Sequence, residues 1–222
     1  MTAKLVKQLT AVHPGAWGAL LAVLVAVAVA VGATTQQQAA RHREIADGLS
    51  STNAVEPALC VMRLEKRWFG YVVYRPAHFD RHRKYPLLVG KVRFQAQDTD
   101  KGPAWASALA NAGAYVAIAY RSFGGTNDWA TEVMGVYHEL TPDPTIDSHR
   151  VFLFSNSAGA AAMTKLVEDD PTPWRGTFLF DSDEGVSNRL SPPGMRPPRI
   201  FPDHGTNDPK FIQTLADFVF DK

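Results

Sequence analysis

Apolar residues follow two patterns along the 222-residue chain, and each predicts different elements. From Gly15 to Ala33 nearly every position is apolar, with Trp17, Leu20, Leu21 and the series Val25-Ala26-Val27-Ala28-Val29-Ala30-Val31. Alternation carries no strand signal when both phases are apolar, so length decides. The run is close to the roughly 20 residues that a helix needs to cross a bilayer. The expectation is a transmembrane signal-anchor over 15–33 behind a short flank, 1–14. A cleaved signal peptide is the alternative, because Val31-Gly32-Ala33 supplies the small residues that cleavage prefers. Lys4 and Lys7 before the run are nearly matched by Arg41 and Arg43 after it, so charge does not set the orientation. Either version places the rest of the chain outside the cytoplasm, membrane-anchored or secreted. Residues 34–67, opening with many Gln, Ser and Thr, read as a polar tether and entry segment.

From Trp68 the pattern changes to short β-branched or aromatic runs alternating with helical stretches. Strands are predicted at Tyr71–Tyr74 and Leu87–Val89, taken together as an opening antiparallel pair, and then at Tyr115–Tyr120, Val151–Phe154, Thr177–Phe180 and Arg199–Phe201. The run Tyr115–Tyr120 is apolar at nearly all positions, as a strand buried on both faces requires. Helices are predicted over Ala104–Ala112 with Gly113 as C-terminal cap, from a cap at Asn127 or Asp128 to Leu140, over Ala160–Val167, and from Pro209 onward. This order predicts an α/β domain over 68–222, a mostly parallel sheet with helices on both faces.

Composition narrows the function. Lys+Arg 23 against Asp+Glu 22 leaves no basic footprint for nucleic acid, and no nucleic-acid partner is expected. Cys60 is the only cysteine, which excludes an intramolecular disulfide and multi-cysteine zinc patterns. The histidines show no metal spacing and no glycine-rich phosphate loop occurs, so no metal and no cofactor is expected. The remaining candidate is Ser155-Asn156-Ser157-Ala158-Gly159, set between an apolar strand and a small-residue helix. A serine nucleophile on an α/β sheet needs a sharp strand-to-helix turn, so that its hydroxyl clears the sheet and helix N–H groups lie behind the developing oxyanion. The usual pattern for that turn is Gly-x-Ser-x-Gly; here Ser155 replaces the first glycine and Gly159 keeps the second. A serine that merely caps a helix is the alternative reading.

The stretch Thr145-Ile146-Asp147-Ser148-His149-Arg150 through Gly159 resembles the Asp-x-x-Arg strand and nucleophile turn of the prolyl oligopeptidase family of α/β-hydrolases. Tyr120-Arg121-Ser122-Phe123-Gly124-Gly125 is similar to that family's loop after a central strand, and His204-Gly205-Thr206-Asn207-Asp208 to the loop carrying its catalytic acid. The resemblance covers roughly Tyr71 to Lys222. It implies Ser157 as nucleophile, Asp208 as the acid that orients the base, and the Ala158 backbone N–H as an oxyanion donor. For Asp208, a turn or helix cap before Pro209 is the alternative.

Two departures from the family stand out. Gly90-Lys91-Val92-Arg93-Phe94-Gln95 lacks the family's His-Gly-Gly, so the second donor falls to the backbone N–H of Arg93 or Phe94. No histidine follows Asp208, where the family carries its base. Three explanations are a C-terminally incomplete domain, an inactive relative, or another histidine acting in its place. His204 is the nearest candidate, with Asp181 or Asp183 to orient it, although in the family this position is usually structural. The expectation is a serine hydrolase, peptidase or esterase, that acts on a small ester or peptide through an acyl-enzyme on Ser157. The alternative is a catalytically inactive, membrane-tethered binding module of the same fold.

Overall fold

The computed structural model describes residues 14–64, 67–92, 103–123, 128–156, 159–180, 199–201 and 208–220. The chain divides into two units, Met1–Glu44 and Ile45–Lys222. The described part of the first unit is helical and belongs to α1 (Pro14–Ser50). Val23, Val25, Val27, Val29 and Val31 on this helix are exposed. The expected membrane crossing is not met: among the described residues, no helix is long and apolar enough to cross a membrane.

The segment read as a polar tether and entry segment begins as helix. Residues 34–50 are helical, and the chain that follows is fastened to α2 (Ala104–Asn111). The Val55 N–H donates to Ser107 Oγ at 2.7 Å, and Asn111 Nδ2 donates to the Asn53 carbonyl at 2.7 Å. Gly48 lies so close to the backbone of Asn111 and Ala112 that a Cβ there would overlap it.

The second unit is built on a seven-stranded sheet: β1 (Ala58–Leu64), β2 (Arg67–Tyr74), β3 (Tyr85–Lys91), β4 (Tyr115–Phe123), β5 (Ile146–Asn156), β6 (Gly176–Phe180) and β7 (Arg199–Phe201), in the spatial order β1-β2-β4-β3-β5-β6-β7. The pairs β1–β2 and β2–β4 are antiparallel, and β4, β3, β5, β6 and β7 run parallel. The predicted antiparallel pairing of Tyr71–Tyr74 with Leu87–Val89 does not occur. All seven residues of β3 are buried, which is possible only in the middle of the sheet, and β3 accordingly lies between β4 and β5. The antiparallel partner of β2 is instead β1, an edge strand not foreseen in the entry segment.

Helices α2 and α5 (Pro209–Phe220) contribute to the core on one face, α3 (Trp129–Leu140) and α4 (Gly159–Asp169) to that on the other. Period-two alternation sorts the strand residues: Phe152, Phe154, Phe178 and Phe180 face Trp105, Phe211 and Phe218, while Leu153 and Leu179 face Val133, Met163 and Leu166. Trp105 meets Phe154 edge-to-face at 5.2 Å between ring centroids, and Phe178 meets Phe211 at 5.7 Å. Full burial of such a ring stabilises the fold by about 1.5–3 kcal/mol, so this aromatic layer fixes which face each strand turns to α5. Helix ends follow the predicted punctuation. Gly113 has φ +95°, Asp128 Oδ1 accepts the Thr131 N–H at 3.1 Å, and Pro209 is the first residue of α5.

Candidate active site

Five parallel strands end along one edge of the sheet, at Lys91, Phe123, Asn156, Phe180 and Phe201. In open α/β sheets ligands bind at this edge, near the strand where the winding changes direction. The change falls at β3 and its neighbour β5: from β3 the chain passes to β4 on one side, and from β5 it passes to β6 on the other. Ser157 and Ala158 are the two residues between the end of β5 at Asn156 and the start of α4 at Gly159. The predicted strand and helix are therefore in place, the strand running on to Asn156 and the helix starting at Gly159, with the strand ending at the sheet edge where ligands bind. Ser157, Ala158, Phe94 and His204 themselves lie outside the described residues, as do Arg93, Asp181 and Asp183.

The described surroundings of this turn are tight. Ser155 is fully buried, and its Oγ donates to the Lys91 carbonyl at 3.1 Å, tying the end of β5 to the end of β3. A Cβ built on Gly159 would overlap both Ser155 Oγ and the ring of Trp129, so glycine is required at this position for steric reasons. The departure at Ser155 from the usual glycine is thus accommodated: its hydroxyl occupies space that Gly159 leaves open and makes a strand-to-strand bond. Lys91 Nζ forms an ion pair with Glu132 Oε2 on α3 and lies 5.3 Å from the centroid of the Trp129 ring. Both charged side chains are buried.

Asp208 is half-buried at the start of α5. Its Oδ1 accepts the Lys210 N–H at 2.9 Å, and its carbonyl accepts the Ile212 N–H at 3.1 Å. It therefore performs the helix-capping role weighed from the sequence. At the opposite end of β5, Asp147 and Arg150 pair through Oδ2 and Nε at 2.7 Å, and Arg150 Nη2 donates to the Lys84 carbonyl at 3.2 Å. Partial burial pushes the Asp147 carboxyl up, but the Arg150 hydrogen bond, the His149 N–H and the positive charge of Arg150 outweigh it and hold it below the usual carboxylate range. The Asp-x-x-Arg motif is a fastening for the start of β5, away from the turn that carries Ser157.

No family model and no curated protein sequence matches the chain. Among solved structures, a thermostable esterase superposes with a TM-score of 0.54 over 76% of this chain and 64% of its own length, at 13% identity. Dipeptidyl peptidase 4 of Porphyromonas gingivalis gives 0.46 over 62% of this chain and 23% of its own, at 14% identity. An acylaminoacyl peptidase of Pyrococcus horikoshii gives 0.46 over 59% and 24%, at 12% identity. The chain thus spans less than two thirds of the esterase and about a quarter of either peptidase. The chain has the α/β-hydrolase fold.

In an α/β-hydrolase the strand-to-helix turn at the top of the sheet exposes the nucleophile, and the N–H after it faces the oxyanion. Ser157 and Ala158 hold those chain positions. What the sequence reading missed is the group packed against Ser155 and Gly159: Lys91, Glu132 and Trp129. The available signal was Lys91 itself, a charge closing a strand whose other members are all apolar or aromatic apart from Gly90. Its partner, 41 residues away in the chain, has no local signature.

Proposed function

We propose that this α/β-hydrolase is a serine hydrolase of the prolyl oligopeptidase-like kind, cleaving an ester or peptide bond through an acyl-enzyme on Ser157. The observation that carries the reading is the frame on either side of Ser157 and Ala158: a central parallel strand ends at Asn156, and the next helix begins at Gly159, a glycine that has no room for a Cβ. Ser157 Oγ attacks the carbonyl carbon of the substrate. A new C–O bond forms, and the proton of the hydroxyl passes to a general base. Collapse of the tetrahedral intermediate breaks the bond to the leaving alcohol or amine, which takes that proton. Water then attacks the acyl-enzyme in the same way, releasing the acid and restoring Ser157. In this scheme the Ala158 N–H and the Phe94 N–H stabilise the oxyanion, and each such donor accounts for about 10²–10³ in turnover. His204 is the proposed base, with Asp181 or Asp183 as the carboxylate that orients it.

The test is reaction of the full chain with a fluorophosphonate probe. Wild-type protein is expected to be labelled and Ser157→Ala to be blank at equal folded concentration. Absence of labelling in folded wild type would favour a binding module on the same fold.

A further inference from the structure

Lys91 and Glu132 put two charges into a place where a core would ordinarily hold leucine or methionine: they are 4% and 5% exposed. Removing two ions from water is costly, and their attraction offsets that cost only in good geometry. A well-packed apolar pair of similar volume usually serves stability as well or better. Stability therefore does not explain the pair, and its location does.

Lys91 is the last residue of β3 and is held at three points. Its carbonyl accepts the Ser155 hydroxyl, its ammonium pairs with Glu132 in the first turn of α3, and the same ammonium lies against the face of Trp129. Trp129 in turn fills the space that a Cβ on Gly159 would need. Four segments converge here: the ends of β3 and β5 and the starts of α3 and α4. Ser157 lies between two of them in the chain, and Arg93 and Phe94 follow directly from a third. An ammonium on a flexible stem is a compact point charge, and a carboxylate and an aromatic face give it one fixed seat.

We propose that the buried Lys91–Glu132 pair is a positioning device for the nucleophile segment: it ties the end of β3 to the first turn of α3, whose Trp129 packs against Gly159 at the start of α4, and so fixes the frame on either side of Ser157 in the chain. The inference rests on the serine hydrolase reading. It makes Lys91 and Glu132 positioning residues that act through the turn. Displacing reacting groups by about 1 Å costs on the order of 10² in rate, so loss of the pair is visible in reactivity even where the fold survives.

The experiment compares wild type with the full-length double variant Lys91→Met/Glu132→Leu, which removes both charges at nearly constant volume. The expected result is an unchanged circular dichroism spectrum with a Tm at or above wild type, and a fluorophosphonate labelling rate lower by at least about tenfold. With a short p-nitrophenyl ester the loss should fall on kcat while KM stays within about twofold, as expected when transition-state contacts alone are displaced. A folded double variant labelled at the wild-type rate would overturn the inference and leave the hydrolase reading intact. Failure of folded wild type to label would overturn that reading, and the inference with it. Should the double variant not fold, Glu132→Gln, which keeps the shape and removes the negative charge, is judged by the same rate criterion.

Discussion

The two ends of strand β5 are each fastened through a main-chain carbonyl, one on the residue before β3 and one on its last residue, but by different means. At the start of the strand, Arg150 reaches the Lys84 carbonyl and is paired with Asp147, three residues away on the same strand. Their side chains are 25% and 20% exposed. At the finish, Ser155 reaches the Lys91 carbonyl, and Lys91 is paired with Glu132 on another element, with side chains 5% and 7% exposed. The first arrangement is local and wetted by solvent, so its strength is modest and a loss there is easily compensated. The second is assembled from distant parts of the chain and shielded from water, so neither charge can be removed alone without leaving the other stranded. One end of the strand is anchored; the other is also aligned.

The largest expected effect comes from breaking the buried end by half. Glu132→Leu alone strands the Lys91 ammonium in the core, which should cost about 3–5 kcal/mol. At roughly 2–4 °C per kcal/mol for a chain of this size, the Tm falls by about 6–20 °C, measured by thermal unfolding. Adding Lys91→Met to that variant should recover the whole loss, to a Tm at or above wild type. If the single variant is as stable as wild type, the pair is not the tight, dry contact described here.

The smaller effect lies at the exposed end. Asp147→Asn should cost less than about 1 kcal/mol at neutral pH, because solvent screens the pair. Its pH dependence has a definite sign. The folded-state pKa of Asp147 lies below the unfolded value of 3.8, so the stabilisation is fully present above that value and is lost as pH falls through the folded pKa. Denaturant midpoints of wild type and Asp147→Asn should therefore differ slightly at pH 6 and converge on acidification below about pH 4. Curves that diverge with acid would reverse the assignment.

Much of this architecture is legible in the sequence because the parallel strands have short, largely apolar centres bounded by strong punctuation. Gly113, Asp128 and Pro209 each terminate or start a helix where predicted, and Ser155–Gly159 joins a strand to a helix as expected. The edge strand β1 was not legible. Leu59 and Val61 are exposed while Cys60, Met62 and Leu64 are half-buried, so apolar residues on both faces erase the period-two signal. The placement of β3 was misread for a related reason: Tyr85–Lys91 follows β2 closely, and sequence proximity suggests a hairpin, whereas burial on both faces demands the centre of the sheet. The Lys91–Glu132 pair escaped because ion pairs across elements depend on the fold, and no local spacing reports which charges meet. Asp208 shows the converse limit. Asn-Asp-Pro suits a helix cap as well as a catalytic acid, order and spacing favour the acid, and Asp208 Oδ1 accepts the Lys210 N–H at the start of α5.

The most direct measurement is peptide mapping of the covalent adduct left when the full chain is incubated with a p-nitrophenyl ester and quenched in acid. The account predicts one acyl group per folded molecule, on the peptide that contains Ser157 and on that residue. A folded protein that carries no acyl group, or carries it on another residue, would contradict the account.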